Sequence, residues 1–480
     1  MAVSFAWAIV VLGLKFVLIL FLARLSTRSH RPHRSSDADC VQIVVLGDIG
    51  RTPRMQYHAL SFADAGFLVY LIGYTTSKLH PDIFERDNIK VVSLKPFPKS
   101  LNTQHPGLFL FLGPLKVLYQ AWILTQALIW RKTTNAGWML VQNPPAIPTL
   151  AVSAISSWMQ QTRLVIDWHN LGFSILALKL GQSHPLVMVS KLYEKVFGRF
   201  AYAHICVTDA MKRFICEEFG IYDRVFKLCD RPAALFQPIG RSERHEFLAT
   251  LCDNPGINTL RSSVISAGSI PPGLHQDTIA ALQRGTSRLI ISPTSWTADE
   301  DFGLLLQALT DYDRTCGSSE SQNLPDLVVM ITGKGPDREH FESRVRQVYQ
   351  VGGLPHVEIV TTFFEDVRDY AKALASADLG VSLHTSSSGI DLPMKVLDMF
   401  GAALPVLGWS NFEAWSELVR EGDNGLGFED ARGLQRTFEA TLAADSQILS
   451  RLKRGAAGEG KRRWNDEWQP ISKMIFQSSP

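Results

Sequence analysis

Cysteine is scarce, with six residues in a chain of 480. No two of them have C-x-x-C spacing, and no His pair stands near them at zinc-ligand spacing. This argues against a disulfide framework and against structural zinc, and the body reads as reduced and cytosolic. An excess of charge is lacking too. Lys and Arg total 48, Asp and Glu 46, and the net charge is +2, so no nucleic-acid partner is expected. There is no tandem short repeat. With 46% hydrophobic and 20% charged residues, the chain is neither disordered nor fibrous. At roughly 100–200 residues per domain, its length admits two to four domains.

Charge is nearly absent from residues 1–23, where Lys15 is the only charged side chain. At ~1.5 Å per residue a helix of this length covers ~34 Å, enough for a hydrocarbon core of ~30 Å. A cleaved signal peptide is the competing reading, but no basic leader precedes the run and no small-x-small cleavage site follows it. Arg24, Arg28, Arg31 and Arg34 come directly after the run, which places the rest of the chain on the cytosolic side. A second apolar stretch, 107–130, carries only Lys116 and is interrupted by Gly113-Pro114. It reads as a half-buried helix at a membrane surface rather than a second span.

The remainder of the chain alternates between two patterns. The run 41–46 (VQIVVL) is β-branched and unbroken by polar residues, ends in a glycine turn, and leads into a helical stretch at 55–65. Strand-like runs recur at 67–72, 89–94, 138–141, 164–166, 204–207 and 224–228, with helical stretches such as 186–200 and 210–219 among them. The stretch 236–285 is richer in Pro, Gly and Ser and reads as a linker with an insertion. The alternation then resumes, with strands at 288–291, 327–332, 357–360, 379–383 and 405–407 and helices at 302–309, 340–349, 370–377 and 394–400. Buried strands alternating with helices predict two α/β Rossmann-like domains in series, facing a cleft. Ligands of such sheets lie beyond the carboxyl ends of the strands.

The residues at those ends carry the candidate chemistry. Gly47-Asp48-Ile49-Gly50 follows the first strand, and its two glycines let backbone amides approach a phosphate or a sugar. A tight strand–helix connection needs the same turn. The pattern is not a full G-x-G-x-x-G, and no P-loop Lys-Ser/Thr follows. Asp167-Trp168-His169-Asn170 ends another strand, where His169 is placed as a general base or as a hydrogen-bonded structural histidine. Lys334 stands between Gly333 and Gly335 at a strand end, suited to a diphosphate or simply to solvent. The longest such stretch runs from His384 to Asp398. Its Ser387-Ser388-Gly389 turn precedes a helix that has Pro393 at its start, an arrangement that offers donors to an anion. Lys395 and Asp398 lie three apart on one helical face, suited to phosphate and to ribose hydroxyls respectively. A capped helix with a surface ion pair is the plainer account. Neither Asp-x-Asp pair, 37–39 in the polar segment or 311–313 after a helix, stands at a strand end. No metal and no cofactor is therefore expected, and a helix dipole and lysines are left to neutralise a diphosphate.

Taken together, these residues resemble the chitobiosyldiphosphodolichol β-mannosyltransferase family over nearly the whole chain after residue 40. The resemblance rests on GDIGRTPRMQYHA (47–59), QNPPAIPT (142–149), DWHNLGFSILAL (167–178), YEKVFGRFA (193–201), DRPA (230–233), TSWTADEDF (294–302), ITGKGP (331–336) and HTSSSGIDLPMKVLDMFG (384–401). It implies a GT-B fold with an N-terminal transmembrane helix. The implied parts are an anchor at 1–23, an acceptor-side domain at 36–235, the linker at 236–285, a nucleotide-sugar domain at 286–456, and a C-terminal helix at 457–480 placed to return to the first domain.

The resemblance further implies an inverting enzyme on the cytosolic face of the endoplasmic reticulum membrane. Its donor would be GDP-mannose, its acceptor GlcNAc2-diphosphodolichol, and its partners membrane lipid and the later cytosolic mannosyltransferases of the same assembly. Inversion needs one base, assigned first to His169, then to Asp48 and Asp167. Gly47, Gly50, Lys334, Ser387, Ser388, Gly389, Asp391, Lys395 and Asp398 are assigned to the donor. Asp398 stands where wider GT-B enzymes carry a ribose-binding Glu. The other Glu of their E-x7-E motif falls on Ile390, beside Asp391. A retaining transferase and a non-catalytic scaffold of the same fold are the rival readings.

Overall fold

The computed structural model describes residues 39–98, 106–130, 136–252, 254–261, 273–297, 299–318, 324–386 and 388–476. The apolar run 1–23 and Ser387 lie outside the described residues. The chain forms two compact units. Among the described residues, one holds those from 39 to 207, 211–228 and 468–476; the other holds 208–210 and those from 229 to 467.

In the first unit seven parallel strands are ordered β3-β2-β1-β4-β5-β6-β7. They are β1 (Cys40–Asp48), β2 (Leu68–Tyr74), β3 (Ile89–Ser93), β4 (Trp138–Asn143), β5 (Arg163–Trp168), β6 (Ala203–Cys206) and β7 (Val225–Lys227). Val41, Ile43, Val44 and Val45 of β1 are all buried, as a central strand covered on both faces requires. The order reverses between β1 and β4, which defines a crevice at their carboxyl ends. The helix Trp464–Phe476 has Pro470 inside it, and its later residues belong to this unit. The Trp468 indole donates to His58 Nδ1 (3.1 Å), and Phe476 packs edge-on against Phe62 and Trp138.

In the second unit the order is β14-β13-β12-β9-β10-β11-β8. The strands are β8 (Ile257–Thr259), β9 (Ser287–Pro293), β10 (Asp326–Thr332), β11 (Val357–Thr362), β12 (Leu379–Ser382), β13 (Val406–Trp409) and β14 (Gly425–Phe428). All pairings are parallel except β8 against β11. The reversal lies between β9 and β12, so the loops after Pro293 and Ser382 border this crevice.

Residues 236–285 are not only linker. The helices Arg241–Thr250 and Gln276–Arg284 and the edge strand β8 belong to this unit, and Phe247, Leu248, Leu251 and Leu282 enter its core. Three-residue β8 and a mostly polar helix carry too little periodicity to be read from sequence. Arg231 of the DRPA motif is buried and donates to Glu459 (2.5 Å) and Glu467 (2.7 Å), so it fastens the C-terminal helices to this unit. The Asp311–Asp313 pair lies inside the helix Phe302–Cys316 rather than after it. There Asp311 pairs with Arg314 and Asp313 accepts from the His356 amide, so both carboxylates hold the fold.

Candidate active site

The first unit gathers its titratable groups at the end of β5. Asp167 is fully buried. It takes a bidentate pair of bonds from Arg54 (2.8 and 2.9 Å), and His58 Nε2 and His169 Nε2 lie 3.1 and 2.9 Å from its Oδ2. Burial alone would raise this carboxyl, but Arg54 and the two imidazoles hold it well below the usual range. An ionised carboxylate only accepts, so both histidines present N–H to it. His58 also accepts from Trp468 at Nδ1, which makes it the neutral Nε2–H tautomer, and burial keeps its pKa low. His169 is the outer partner, one-fifth exposed, and its Nδ1 is left as the accepting nitrogen. Its backbone amide bonds the Asn143 carbonyl at the end of β4, beside the topological crevice. Asp167 therefore orients His169; the two are not independent bases.

Asp48 sits at the end of β1 in a different role. Five donors converge on it: the amides of Gly50, Thr76 and Ser77 and the hydroxyls of Thr76 and Ser77. Burial acts to raise its pKa, but these bonds bring it down to about 2. Such a carboxylate anchors the loop after β2 and is a poor proton acceptor. A Cβ on Gly50 would lie 2.6 Å from the Lys78 carbonyl, so the fold itself demands that glycine. Gly47 has room for a side chain.

The second unit brings the loops after β9 and β12 together. Trp296 is buried and stacked on Phe302, with its indole on the Gly333 carbonyl, and the loop after β9 folds around it. Cβ atoms on Gly333 and Gly335 would collide with the carbonyls of Thr294 and Ser295, so both glycines serve the passage of two loops. Buried Glu300 accepts from Thr294 Oγ1 (2.5 Å), the Ser295 amide (3.0 Å) and Lys395 Nζ (2.9 Å). Lys334 is exposed, pairs with Glu365 (2.7 Å) and lies 3.8 Å from the Phe363 ring centre.

Sequence reasoning assigns no role to His384. Its Nδ1 is 3.2 Å from Asp299, and its Nε2 is 3.5 Å from Asp391, too long for a good hydrogen bond. Ser386 donates to Asp391 and accepts from the Gly389 amide, where φ is +75°. The imidazole thus ties the loop after β9 to the serine turn after β12. Burial lowers its pKa, but Asp299 and Asp391 outweigh that and raise it to about 9. Ser388 only brushes the Ile390 amide at 3.5 Å. Asp398 follows Lys395 by one helical turn on the helix Met394–Gly401. Burial pushes its carboxyl up to about 8 against the pull of Lys395, which favours the protonated form, a group able both to donate and to accept. Among the described residues, no group of three or more His, Cys, Asp or Glu side chains is arranged to hold a metal ion.

The His384 shift has a consequence for stability. Its folded value lies above the ordinary ~6.5, so its contribution is full below ~6.5 and is lost as pH rises through about 9. The thermal midpoint of the wild type is expected to fall between pH 7 and pH 10 more steeply than that of His384→Gln. Parallel profiles in differential scanning calorimetry would contradict this.

Two mostly parallel α/β sheets of this order, each with polar loops at its switch point, make up a GT-B-like fold, the fold of glycosyltransferases. The family model described as Glycosyl transferases group 1 matches residues 296–444. The chain also superposes on the sucrose-phosphate synthase (tll1590) of Thermosynechococcus elongatus with TM-score 0.61. That match has 14% identity and covers 91% of this chain and 97% of the other, a likeness of fold alone.

Two relatives named chitobiosyldiphosphodolichol beta-mannosyltransferase align along almost the whole length. The protein of Arthroderma benhamiae is 42% identical over 458 residues, covering 95% of each chain. That of Mus musculus is 37% identical over 480 residues, covering 97% of this chain and 94% of its own. The chain belongs to the chitobiosyldiphosphodolichol beta-mannosyltransferase family and is an enzyme of that type. Among the described residues no helix is long and apolar enough to cross a membrane.

Proposed function

We propose that this chain transfers mannose from GDP-mannose to GlcNAc2-diphosphodolichol, forming a β-1,4 bond with inversion at the anomeric carbon. The observation that carries the reading is the buried Asp167 carboxylate holding His169 by Nε2 at the end of β5. An imidazole held in this way is an oriented base for a hydroxyl, in a family whose relatives are named for mannose transfer. In this reading His169 Nδ1 removes the proton of the GlcNAc 4-hydroxyl as that oxygen attacks the anomeric carbon. Lys395, Lys334 and the Ser387-Ser388-Gly389 turn stabilise the departing diphosphate, with no metal or cofactor. Glu300 and Glu365 compete with the diphosphate for the two ammonium groups. Asp398 meets the ribose hydroxyls, and Asp391 shapes the serine turn. Asp48 and Gly50 support the crevice through the loop after β2.

The reading extends to place. Residues 1–23 form a single N-terminal membrane helix in the endoplasmic reticulum, the body lies on the cytosolic face, and the later cytosolic mannosyltransferases of the assembly are its neighbours. Incubation of the full chain in vesicles with GDP-mannose and a GlcNAc2-diphospho-lipid is expected to yield a β-mannosidase-sensitive trisaccharide lipid. An α-linked product, or none, would overturn the reaction.

Lys395→Glu gives a second check, because it sets two carboxylates against each other. Loss of one charge-assisted bond is worth about 1.5–3 kcal/mol. GDP affinity measured by calorimetry should weaken roughly ten- to a hundredfold. An unchanged Kd would remove Lys395 from the diphosphate site.

A further inference from the structure

We infer that Glu194 is a positioning residue for His169, holding it from the backbone side as Asp167 holds it from the ring side. This role presupposes that His169 is the base of the proposed reaction. Both residues belong to the first unit. Glu194 lies in the helix Pro185–Gly198 and is fully buried.

Three of the segments that carry the family resemblance, 142–149, 167–178 and 193–201, meet at this carboxyl group. Its Oε1 accepts from the Gly172 amide (2.8 Å) and from Asn143 Nδ2 (2.9 Å), and its Oε2 lies 3.4 Å from the Phe173 amide. Both oxygens accept, which suits the ionised form. Burial pushes the carboxyl up, against the pull of the Asn143 side chain and the two amides. The first amides of the helix Gly172–Leu180 thus find their acceptor on another helix. Leu171, at the N-cap, has no side-chain oxygen to offer them. A Cβ on Gly172 would stand 3.0 Å from Oε1, so glycine is what admits the carboxyl group. A side chain that only filled space here would be apolar, because a buried carboxylate is costly unless its bonds are used.

Asn143, at the end of β4, relays the hold. It is fully buried too. Its Nδ2 also donates to the Asn170 carbonyl (3.3 Å), and its own main-chain carbonyl accepts the His169 amide (2.9 Å). Its Oδ1 has no hydrogen-bond partner, so the side chain is oriented through Nδ2, by Glu194 and Asn170. Asn143 therefore brackets His169-Asn170, and Glu194 fixes the two amides at 172 and 173. Asp167 sets the tautomer and angle of the imidazole, but a bond to the ring does not fix where its Cα stands. That is left to the backbone bonds, and a misplacement of about 1 Å can cost about 10²-fold in rate.

The test uses the full chain in vesicles with GDP-mannose and a GlcNAc2-diphospho-lipid. Glu194→Ala is expected to lower single-turnover rates by about 10- to 100-fold, with the Kd for GDP unchanged by calorimetry. Glu194→Gln keeps a carbonyl for the Gly172 amide and the Asn143 side chain, and should recover most of that loss. The deciding measurement is the same alanine substitution made in a His169→Ala chain. There it should change the residual rate by less than about twofold, because its effect passes through the imidazole. An equal loss in both backgrounds would show a general structural effect and overturn the positioning role. Wild-type turnover in a folded Glu194→Ala chain overturns it as well; a slow His169→Ala chain in the same assay keeps the base reading in place. Wild-type turnover in His169→Ala overturns both. If Glu194→Ala does not fold, Asn143→Ala removes the grip on Asn170 and leaves the carboxyl group on the helix amides. It should show the same dependence on His169, and a loss independent of His169 would refute the relay.

Discussion

Replacing His169 by alanine is expected to lower turnover by about 10²–10⁴-fold, the usual worth of a general base, with GDP affinity unchanged. The separation reflects where the parts lie. His169 stands at the end of β5 in the first unit, whereas Lys395, Lys334 and Asp398 belong to the second. His169→Gln sharpens the test, because an amide can still donate to Asp167 but cannot take up a proton. Both variants should show the same loss in single-turnover assays. Wild-type turnover in either one would move the base elsewhere. Asp48 would be a weak successor, since five hydrogen bonds already hold its carboxylate.

The second large effect belongs to Asp167. Asp167→Ala leaves the Arg54 guanidinium buried without its counter-charge and removes the acceptor of two imidazoles. Breaking a buried pair in this way destabilises by about 3–5 kcal/mol, which urea unfolding would read as a lower midpoint at unchanged slope. Replacing the pair together, Asp167→Leu with Arg54→Met, should recover most of that loss, because apolar residues of similar volume commonly substitute for buried ion pairs. Turnover should stay low in the double variant, since His169 has still lost the carboxylate that sets its tautomer and angle. Recovery of both stability and turnover would reduce Asp167 to a structural role.

The chain by itself determined the alternation of its elements and hence the two α/β sheets. Unbroken β-branched runs such as 41–46 can only be central strands covered on both faces, and that signal is local. It also put His169 and Lys334 just after strands and Lys395 in the first turn of a helix, because polar residues directly after a buried strand have few other places to go. Short or glycine-rich pieces escaped it. β8 has three residues and β14 (GLGF) has two glycines, so neither carries a pattern of its own.

What only the tertiary structure decided was which side chains meet. Arg54 lies 113 residues from Asp167, Glu300 lies 95 from Lys395, and Asp299 reaches His384 across the reversal between β9 and β12. No periodicity encodes such pairs. They arise when parallel strands bring distant loops to one edge, and a carboxylate that loses water there must find whichever donor the opposite loop presents. That is why Asp48 and Gly50, both candidates from their positions, proved to have structural reasons of their own, as did the two glycines that flank Lys334. It is also why His384 acquired a role that its place in the sequence did not show.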